Sequence, residues 1–220
     1  MFGRVARRYD LLNHLLSASL DRVWRRHSAR SLALSPGDRV LDLCCGTGDQ
    51  AVALHRRGAV VVAADFCLPM LAISRRKFAR QAPPQPRPFC ADALALPYRD
   101  GCFDAATVSF GLRNVADLDR ALAELGRVLR PGGQLAILEF ALPSLPPLRA
   151  LYLFYFNRLL PLLGRWVSSD ASAYTYLPAS VSSFPQREEF LAHLAGAGFR
   201  STSFRDLTGG ILCLYRGERS

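Results

Sequence analysis

The stretch Val40-Leu-Asp-Leu-Cys-Cys-Gly-Thr-Gly-Asp49 decides the fold. Its apolar first half predicts a buried strand, and Gly46 and Gly48 predict a tight turn into a helix that begins near Asp49. Glycine lets the backbone approach a ligand closely, and the first turn of a helix presents unpaired N–H groups. The spacing Gly-x-Gly-x-x-Ala also occurs in dinucleotide sites, so the loop alone indicates a nucleotide-like ligand without identifying it.

Strand-like and helix-like segments alternate around this loop. Apolar runs predict seven strands, at residues 39–43, 59–64, 87–91, 103–109, 134–140, 199–206 and 210–215. Amphipathic stretches predict helices at 49–57, 69–80, 118–129 and 187–195, and Pro131-Gly132-Gly133 predicts a turn. The last two strands are joined by a short link, so we expect them to be antiparallel. The alternation predicts an α/β fold with a mostly parallel seven-stranded sheet and an antiparallel last strand.

The length of 220 residues predicts a single domain over 1–220. Residues 1–36 are expected to form an N-terminal helical cap, with Asp21 capping its second helix. Prolines, leucines and aromatic residues interrupt the alternation at 141–183, which predicts a hydrophobic helical insertion on the substrate side. Its most apolar run, 150–156, is too short to span a bilayer. With no visible signal peptide, we expect a cytoplasmic protein.

The chain has 28 basic and 18 acidic residues, a net charge of +10. This excess favours anionic partners, either nucleic acid, an acidic membrane surface or phosphate-bearing ligands, although general arginine usage would also explain it. The six cysteines include no C-x-x-C pair, and only four histidines are present. We therefore predict no metal site.

Three aspartates follow three of the predicted strands. Asp42 precedes the glycine loop, Asp65 ends the second strand and Asp92 follows the third. A carboxylate at the position of Asp65 can accept hydrogen bonds from both ribose hydroxyls, and one at Asp92 can accept from an adenine amino group. The ordered set describes S-adenosylmethionine better than NAD. The alternative is that each aspartate only caps a helix or turn.

The set resembles that of class I S-adenosylmethionine-dependent methyltransferases, which have a Rossmann-like fold. Their loop begins with an additional glycine where this chain has Cys44. The resemblance implies that Thr47 and the loop backbone contact the methionine end, together with Ser109. It also implies that Asp65 holds the ribose, and that Asp92 and Ala93 contact adenine. The cofactor-binding set is then Asp42, Gly46, Thr47, Gly48, Asp65, Asp92, Ala93 and Ser109.

Further stretches narrow the family. They are 9–24 (YDLLNHLLSASLDRVW), 109–115 (SFGLRNV), 127–140 (RVLRPGGQLAILEF), 174–178 (YTYLP), Phe184-Pro185 and 207–211 (LTGGI). Together they resemble the ubiquinone/menaquinone biosynthesis C-methyltransferases of the UbiE/MenG type over essentially the whole chain. Asp21 and Ala141 depart from that pattern, at positions where the family often has His and Ser.

The resemblance implies C-methylation of a prenylated quinol ring, usually demethylmenaquinol. It points to Arg113, Asn114 and Tyr9 as catalytic residues. Arginine stays protonated, so we expect Arg113 to stabilise the phenolate and orient a water that Asn114 fixes. A surface or helix-capping role is the alternative for Arg113, and His14 and His27 are rival bases.

Several partners follow from these expectations. The apolar side chains between 142 and 166 would line a tunnel for the prenyl tail, or form ordinary core or a homodimer face. Arginines of the insertion and of the N-terminal helices would contact an anionic membrane surface peripherally. No nucleic-acid partner is expected. The alternatives are a benzoquinol or other small-molecule substrate, an NAD-binding oxidoreductase and a non-catalytic cofactor-binding module.

Overall fold

The computed structural model describes residue 17, residues 19–154, residue 158 and residues 172–220, without the side chains of 172–177. Its helices are α1 (Leu20–Ser31), α2 (Asp49–His55), α3 (Leu68–Phe78), α4 (Leu118–Val128), α5 (Pro146–Phe154), α6 (Ser172–Ser183) and α7 (Glu188–Gly196). Its strands are β1 (Arg39–Leu43), β2 (Val60–Asp65), β3 (Arg87–Cys90), β4 (Phe103–Ser109), β5 (Leu129–Phe140), β6 (Phe199–Leu207) and β7 (Leu212–Arg219). Single 3₁₀ turns cover Leu112–Asn114 and Thr208–Gly210.

The seven strands form one sheet in the order β3-β2-β1-β4-β5-β7-β6. The pairs from β3 to β5 are parallel, whereas β7 is antiparallel to both β5 and β6. The expected mixed α/β sheet with an antiparallel last strand is confirmed. Strand β1 lies inside the sheet, and its last four residues are fully buried because helices cover both faces.

Apolar side chains pack on both faces of the sheet. One face is covered by α4 and α7, where Leu122, Leu125 and Phe190 are completely buried. The other is covered by α1, α2 and α3, which contribute Trp24, Leu54 and Phe78. These two layers fix the sheet, and with it the loops that leave the carboxyl ends of β1 to β4.

Helix α1 is attached to the body at both ends. Trp24 Nε1 donates a hydrogen bond to Thr208 Oγ1 at 2.9 Å, and Arg57 Nη1 donates to the carbonyl oxygens of Ala29 and Leu32. The expectation that Asp21 caps this helix is wrong, because the N-cap is Ser19. Asp21 lies within the first turn, where it accepts a hydrogen bond from Ser17 Oγ at 2.9 Å.

Strand β5 is longer than its apolar pattern predicts. Phe103 pairs with Leu129 but Ala105 pairs with Gln134, so Pro131-Gly132-Gly133 forms a bulge inside a continuous strand. Gly132 has φ 73°, a conformation that glycine adopts without steric cost. The expected turn is therefore accommodated within β5 rather than before it.

The expected insertion at 141–183 contains α5 and α6, with most of the interval between them outside the described residues. Leu148 of α5 packs against Gly209 of the second 3₁₀ turn. Within 19–154 and 172–220, no helix has the length and hydrophobicity needed to cross a bilayer.

Candidate functional site

A cavity of about 360 Å³ opens at the carboxyl ends of β1 to β4, the edge where open α/β sheets bind ligands. The described residues that line it all lie between Arg25 and Ala116. From the predicted cofactor set they include Gly46, Thr47, Asp65, Asp92, Ala93 and Ser109. The fold therefore brings six of the eight predicted cofactor residues to one cavity.

Asp65 fixes the glycine loop. Its Oδ2 accepts the Gly46 N–H at 2.7 Å, and its Oδ1 accepts the Cys67 N–H at 2.7 Å. Burial raises the pKa of Asp65, and these backbone N–H donors oppose the rise. Each carboxylate oxygen can accept a second hydrogen bond, so the side chain retains capacity for two ligand hydroxyls.

Asp42 and Gly48 lie on either side of the loop residues 44–47 and are not among the described lining residues. Asp42 is fully buried, and its Oδ1 accepts a hydrogen bond from Thr107 Oγ1 at 3.0 Å. Burial raises the pKa of Asp42 to about 7, against the opposing charge of Arg25. Gly48 has φ 88°, and a Cβ there would lie 2.5 Å from the Phe78 ring. The geometry of Gly48 thus serves the packing of α2 on α3.

Ser109 and Asp92 offer polar groups to the cavity. Ser109 Oγ is buried and has no hydrogen-bond partner within the described part of the chain. An orphaned hydroxyl that lines a cavity is available to a ligand donor or acceptor. Asp92 is exposed at the other side of the cavity, where its Oδ1 accepts the Leu94 N–H at 2.9 Å.

Arg113 lies beneath the cavity in a buried ion pair. Its side chain is 7% exposed, and Nη1 lies 2.8 Å from Oε2 of Glu139, which is 1% exposed. The same Nη1 donates to the Phe110 carbonyl at 2.8 Å, and the guanidinium lies over the Phe140 ring. Arg113 is not among the described lining residues. This geometry makes it a residue that positions the loop after β4, and its expected contact with a phenolate stays a prediction.

The other candidate catalytic residues are separated by the structure. Asn114 lines the cavity, and its Nδ2 donates to the Phe110 carbonyl at 3.4 Å. His27 lies on the exposed face of α1 and is not among the described lining residues, which does not favour it as a base. Tyr9 and His14 lie outside the described residues.

Arg25 and Phe66 are among the lining residues that the sequence does not predict. Arg25 of α1 reaches the cavity, although its Arg-rich neighbourhood suggests a solvated surface. Phe66 lines the cavity while its side chain is 76% exposed. Its place directly after Asp65 is the one signal that could have pointed to a role beside the ligand.

The order of these groups along the sheet fits an adenosyl amino acid. Asp92, Asp65, the glycine loop and Ser109 lie at the carboxyl ends of β3, β2, β1 and β4, which are consecutive neighbours. Three strand spacings cover about 14 Å, the extent of a base, a ribose and an amino-acid chain laid end to end. The donor set, with the orphaned Ser109 hydroxyl at one end and a carboxylate at the other, therefore fits S-adenosylmethionine.

Sequence comparisons place the chain among methyltransferases. The model of the ubiE/COQ5 methyltransferase family matches residues 1–219. A demethylmenaquinone methyltransferase of Thermus thermophilus is 49% identical, with 100% of both chains covered. A protein of the same name from Streptomyces avermitilis is 44% identical, over 100% of this chain and 93% of the relative.

Solved structures agree on the fold. A S-adenosylmethionine-dependent methyltransferase from Thermotoga maritima, described as a possible histamine N-methyltransferase, has a TM-score of 0.68 at 20% identity and covers 100% of this chain and 98% of its own. The [4+2]-cyclase SpnF has a TM-score of 0.70 at 19% identity, with 90% and 80% covered. At these identities the likeness shows a shared architecture, not a shared substrate.

Proposed function

Because this chain belongs to the ubiE/COQ5 methyltransferase family, we propose that it methylates a ring carbon of demethylmenaquinol, with S-adenosylmethionine as methyl donor. The 49% sequence identity, over the full chain, to a demethylmenaquinone methyltransferase supports a naphthoquinol substrate over the benzoquinol of ubiquinone biosynthesis. The single observation that carries the proposal is the cavity itself, where Asp65, Asp92 and Ser109 lie in the order that the cofactor requires.

The cofactor residues divide by position. Asp65 accepts hydrogen bonds from the ribose hydroxyls, with the lone pairs that the N–H groups of Gly46 and Cys67 do not use. Asp92 and Ala93 contact adenine, and the exposed Phe66 ring covers one face of the base. Thr47 and Ser109 contact the methionine end. Asp42 and Gly48 act indirectly, because they shape the loop.

When bound, S-adenosylmethionine supplies an electrophilic methyl group. The task of the chain is then to hold the nucleophilic ring carbon in line with it and to exclude competing water. Asn114 is the cavity-lining residue nearest in sequence to the end of β4 that carries both an amide donor and an acceptor. We assign Asn114, together with Tyr9, a hydrogen bond to the ring hydroxyl or to the water that takes the hydroxyl proton.

Arg113 supports the same proton removal without lining the cavity. Its pairing with Glu139 and the Phe110 carbonyl fixes the turn that presents Asn114. Because Glu139 compensates the guanidinium charge, we propose that Arg113 favours the phenolate mainly through the position of Asn114. Arg113→Lys, which keeps the charge but loses the forked geometry, is expected to lower kcat and leave cofactor affinity within about twofold.

The direct test is transfer of a radiolabelled methyl group to a reduced demethylmenaquinone analogue by the purified protein. Label in the naphthoquinone ring is the expected result, with little label in a matched demethylated benzoquinol. Asp65→Asn is the matched control, because it weakens the cofactor site without altering Asn114. Absence of label at saturating cofactor, with S-adenosylhomocysteine binding intact, would refute the substrate assignment.

A lipid substrate also requires access to a membrane. Leu20 and Val23 of α1, and Leu151 and Phe154 of α5, are 41–64% exposed. Both helices contact the Thr208–Gly210 turn, so these apolar residues surround one region of the surface. Exposed arginines accompany them on both helices, and each contributes about 1 kcal/mol of attraction near an anionic surface. These features support peripheral binding to anionic lipid.

Vesicle sedimentation tests this surface. The wild-type protein is expected to sediment with vesicles that contain anionic lipid, and Leu151→Ser/Phe154→Ser to remain in solution. Leu68→Ser, at an exposed leucine of α3, is the control for loss of apolar surface elsewhere on the protein. If the double variant binds as well as wild type but shifts a dimer to a monomer in light scattering, the same residues form a homodimer face instead.

A further inference from the structure

Arg25 is a cation delivered to the cavity by a rigid element. Helix α1 is attached to the body through Trp24 on one side and Arg57 on the other. Arg25 lines the cavity beside Cys45, Gly46 and Thr47. Its guanidinium carbon lies 5.1 Å from the centroid of the Phe110 ring, a cation–π distance that orients the planar group.

The hydrogen-bonding capacity of Arg25 is unmet. Its Nε is buried without an acceptor, and it forms no ion pair with any of the described residues. Asp42 attracts it electrostatically, but burial makes that carboxyl hard to ionise. A partly buried guanidinium with free donors is costly unless an anion completes it. The cavity is therefore suited to bind a negatively charged ligand group beside Arg25.

The position along the sheet identifies which end of the ligand is concerned. Phe110 follows β4, and the loop residues 44–47 follow β1, whereas Asp65 ends β2 and Asp92 follows β3. Arg25 is thus at the end opposite the adenine-side aspartate. In an adenosyl amino acid laid along this edge, that end carries the α-carboxylate.

We propose that Arg25 binds the α-carboxylate of the methionyl part of the cofactor, and so selects ligands that retain it. This inference rests on the proposed function, since it assigns one contact within the same cofactor site. Phe110 holds the guanidinium plane, and the carboxylate accepts hydrogen bonds that the described residues leave unmade. The quinol oxygen is the other anion that could reach the same cation, and binding measurements separate the two.

The experiment compares two ligands by isothermal titration calorimetry. S-adenosylhomocysteine carries the carboxylate, and 5′-methylthioadenosine lacks the whole amino-acid group. Arg25→Met is expected to weaken S-adenosylhomocysteine binding about 10- to 100-fold, as for loss of a charge-assisted hydrogen bond, and to leave methylthioadenosine binding within about twofold. Arg25→Lys is expected to recover part of the loss. Arg22→Met, on the exposed side of the same helix, is the matched control and is expected to leave both affinities unchanged.

Equal weakening of both ligands by Arg25→Met would overturn the assignment, because it would indicate damage to α1 rather than a lost contact. Unchanged S-adenosylhomocysteine affinity would overturn it as well, and an accompanying rise in quinol KM would transfer the cation to the substrate oxygen. Failure of the wild-type protein to bind either ligand would contradict the proposed function itself. The titrations distinguish the three results, and the quinol KM is measured separately.

Discussion

Asp42→Asn is expected to stabilise the protein at neutral and alkaline pH while changing little in acid. Asp42 is fully buried, and burial raises the pKa of its carboxyl from 3.8 to about 7. The folded state therefore binds a proton at Asp42 that the unfolded chain has already released between about pH 4 and pH 7. Because the folded state holds more protons in this window, the free energy of unfolding falls as pH rises through it.

The size of the effect follows from the same shift. Each pKa unit corresponds to about 1.36 kcal/mol, so the ionised carboxylate costs the fold up to about 4 kcal/mol above pH 7. Asparagine is neutral in both states and its amide oxygen can still accept the hydrogen bond from Thr107. The pKa of about 7 already includes the attraction to Arg25. The asparagine amide would place an NH2 group where Asp42 Oδ2 has no hydrogen-bond partner among the described residues, which reduces the gain, so the expected stabilisation at pH 8 is about 2–4 kcal/mol.

The assay is urea unfolding of the cofactor-free protein at a series of pH values from 4.5 to 8.5. The difference between Asp42→Asn and wild type is expected to grow with pH and to level off above pH 7. Asp100→Asn, at a carboxyl whose side chain is 80% exposed, is the control and is expected to show no such growth. Parallel curves for Asp42→Asn and wild type would refute the reasoning, because a buried carboxyl with an ordinary pKa would leave no pH-dependent difference.

Three further predictions concern single contacts. Gly111→Ala places a methyl group 2.3 Å from Cys44 Cβ and is expected to cost about 1–3 kcal/mol in denaturant unfolding. Adding Cys44→Gly should restore most of that loss, and an unrescued double variant would show that the contact is not the cause. Glu139→Gln strands the Arg113 charge and is expected to cost about 3–5 kcal/mol in the same assay, while Glu139→Gln/Arg113→Met should cost less than the single variant. Asp65→Asn is expected to weaken S-adenosylhomocysteine binding at least about tenfold by calorimetry, and unchanged affinity would exclude Asp65 from the ribose site.

The strands and the position of the cavity follow from local patterns in the sequence. Runs such as 59–64 are apolar without interruption because both faces of the sheet are covered, and their short length and β-branched valines identify them as buried strands. Polar residues directly after such strands must meet at one edge, which is why Asp65 and Asp92 were predictable together. Strand boundaries were less predictable, since the turn-like sequence at Pro131 is compatible with a turn before β5 and with a bulge within it.

The partners of individual side chains were not predictable. Arg113 and Glu139 lie 26 residues apart, and nothing local marks them as a pair. Arg25 resembles the other arginines of α1, and only the docking of the helix decides which of them enters the cavity. Such contacts depend on how elements pack against one another, which a periodic pattern constrains only to a face.

The described lining of the cavity comes entirely from the stretch between Arg25 and Ala116, while the later half of the chain supplies strands β5 to β7 and helices α4 to α7. Among the contacts that join the halves, Glu139 pairs with Arg113 and Thr208 accepts a hydrogen bond from Trp24 of α1. Substitutions in the later half that keep these two contacts are expected to leave the donor site unchanged. This division suggests a route for engineering, in which a library restricted to residues after 141, with Thr208 retained, keeps the donor site intact while new acceptors are sought.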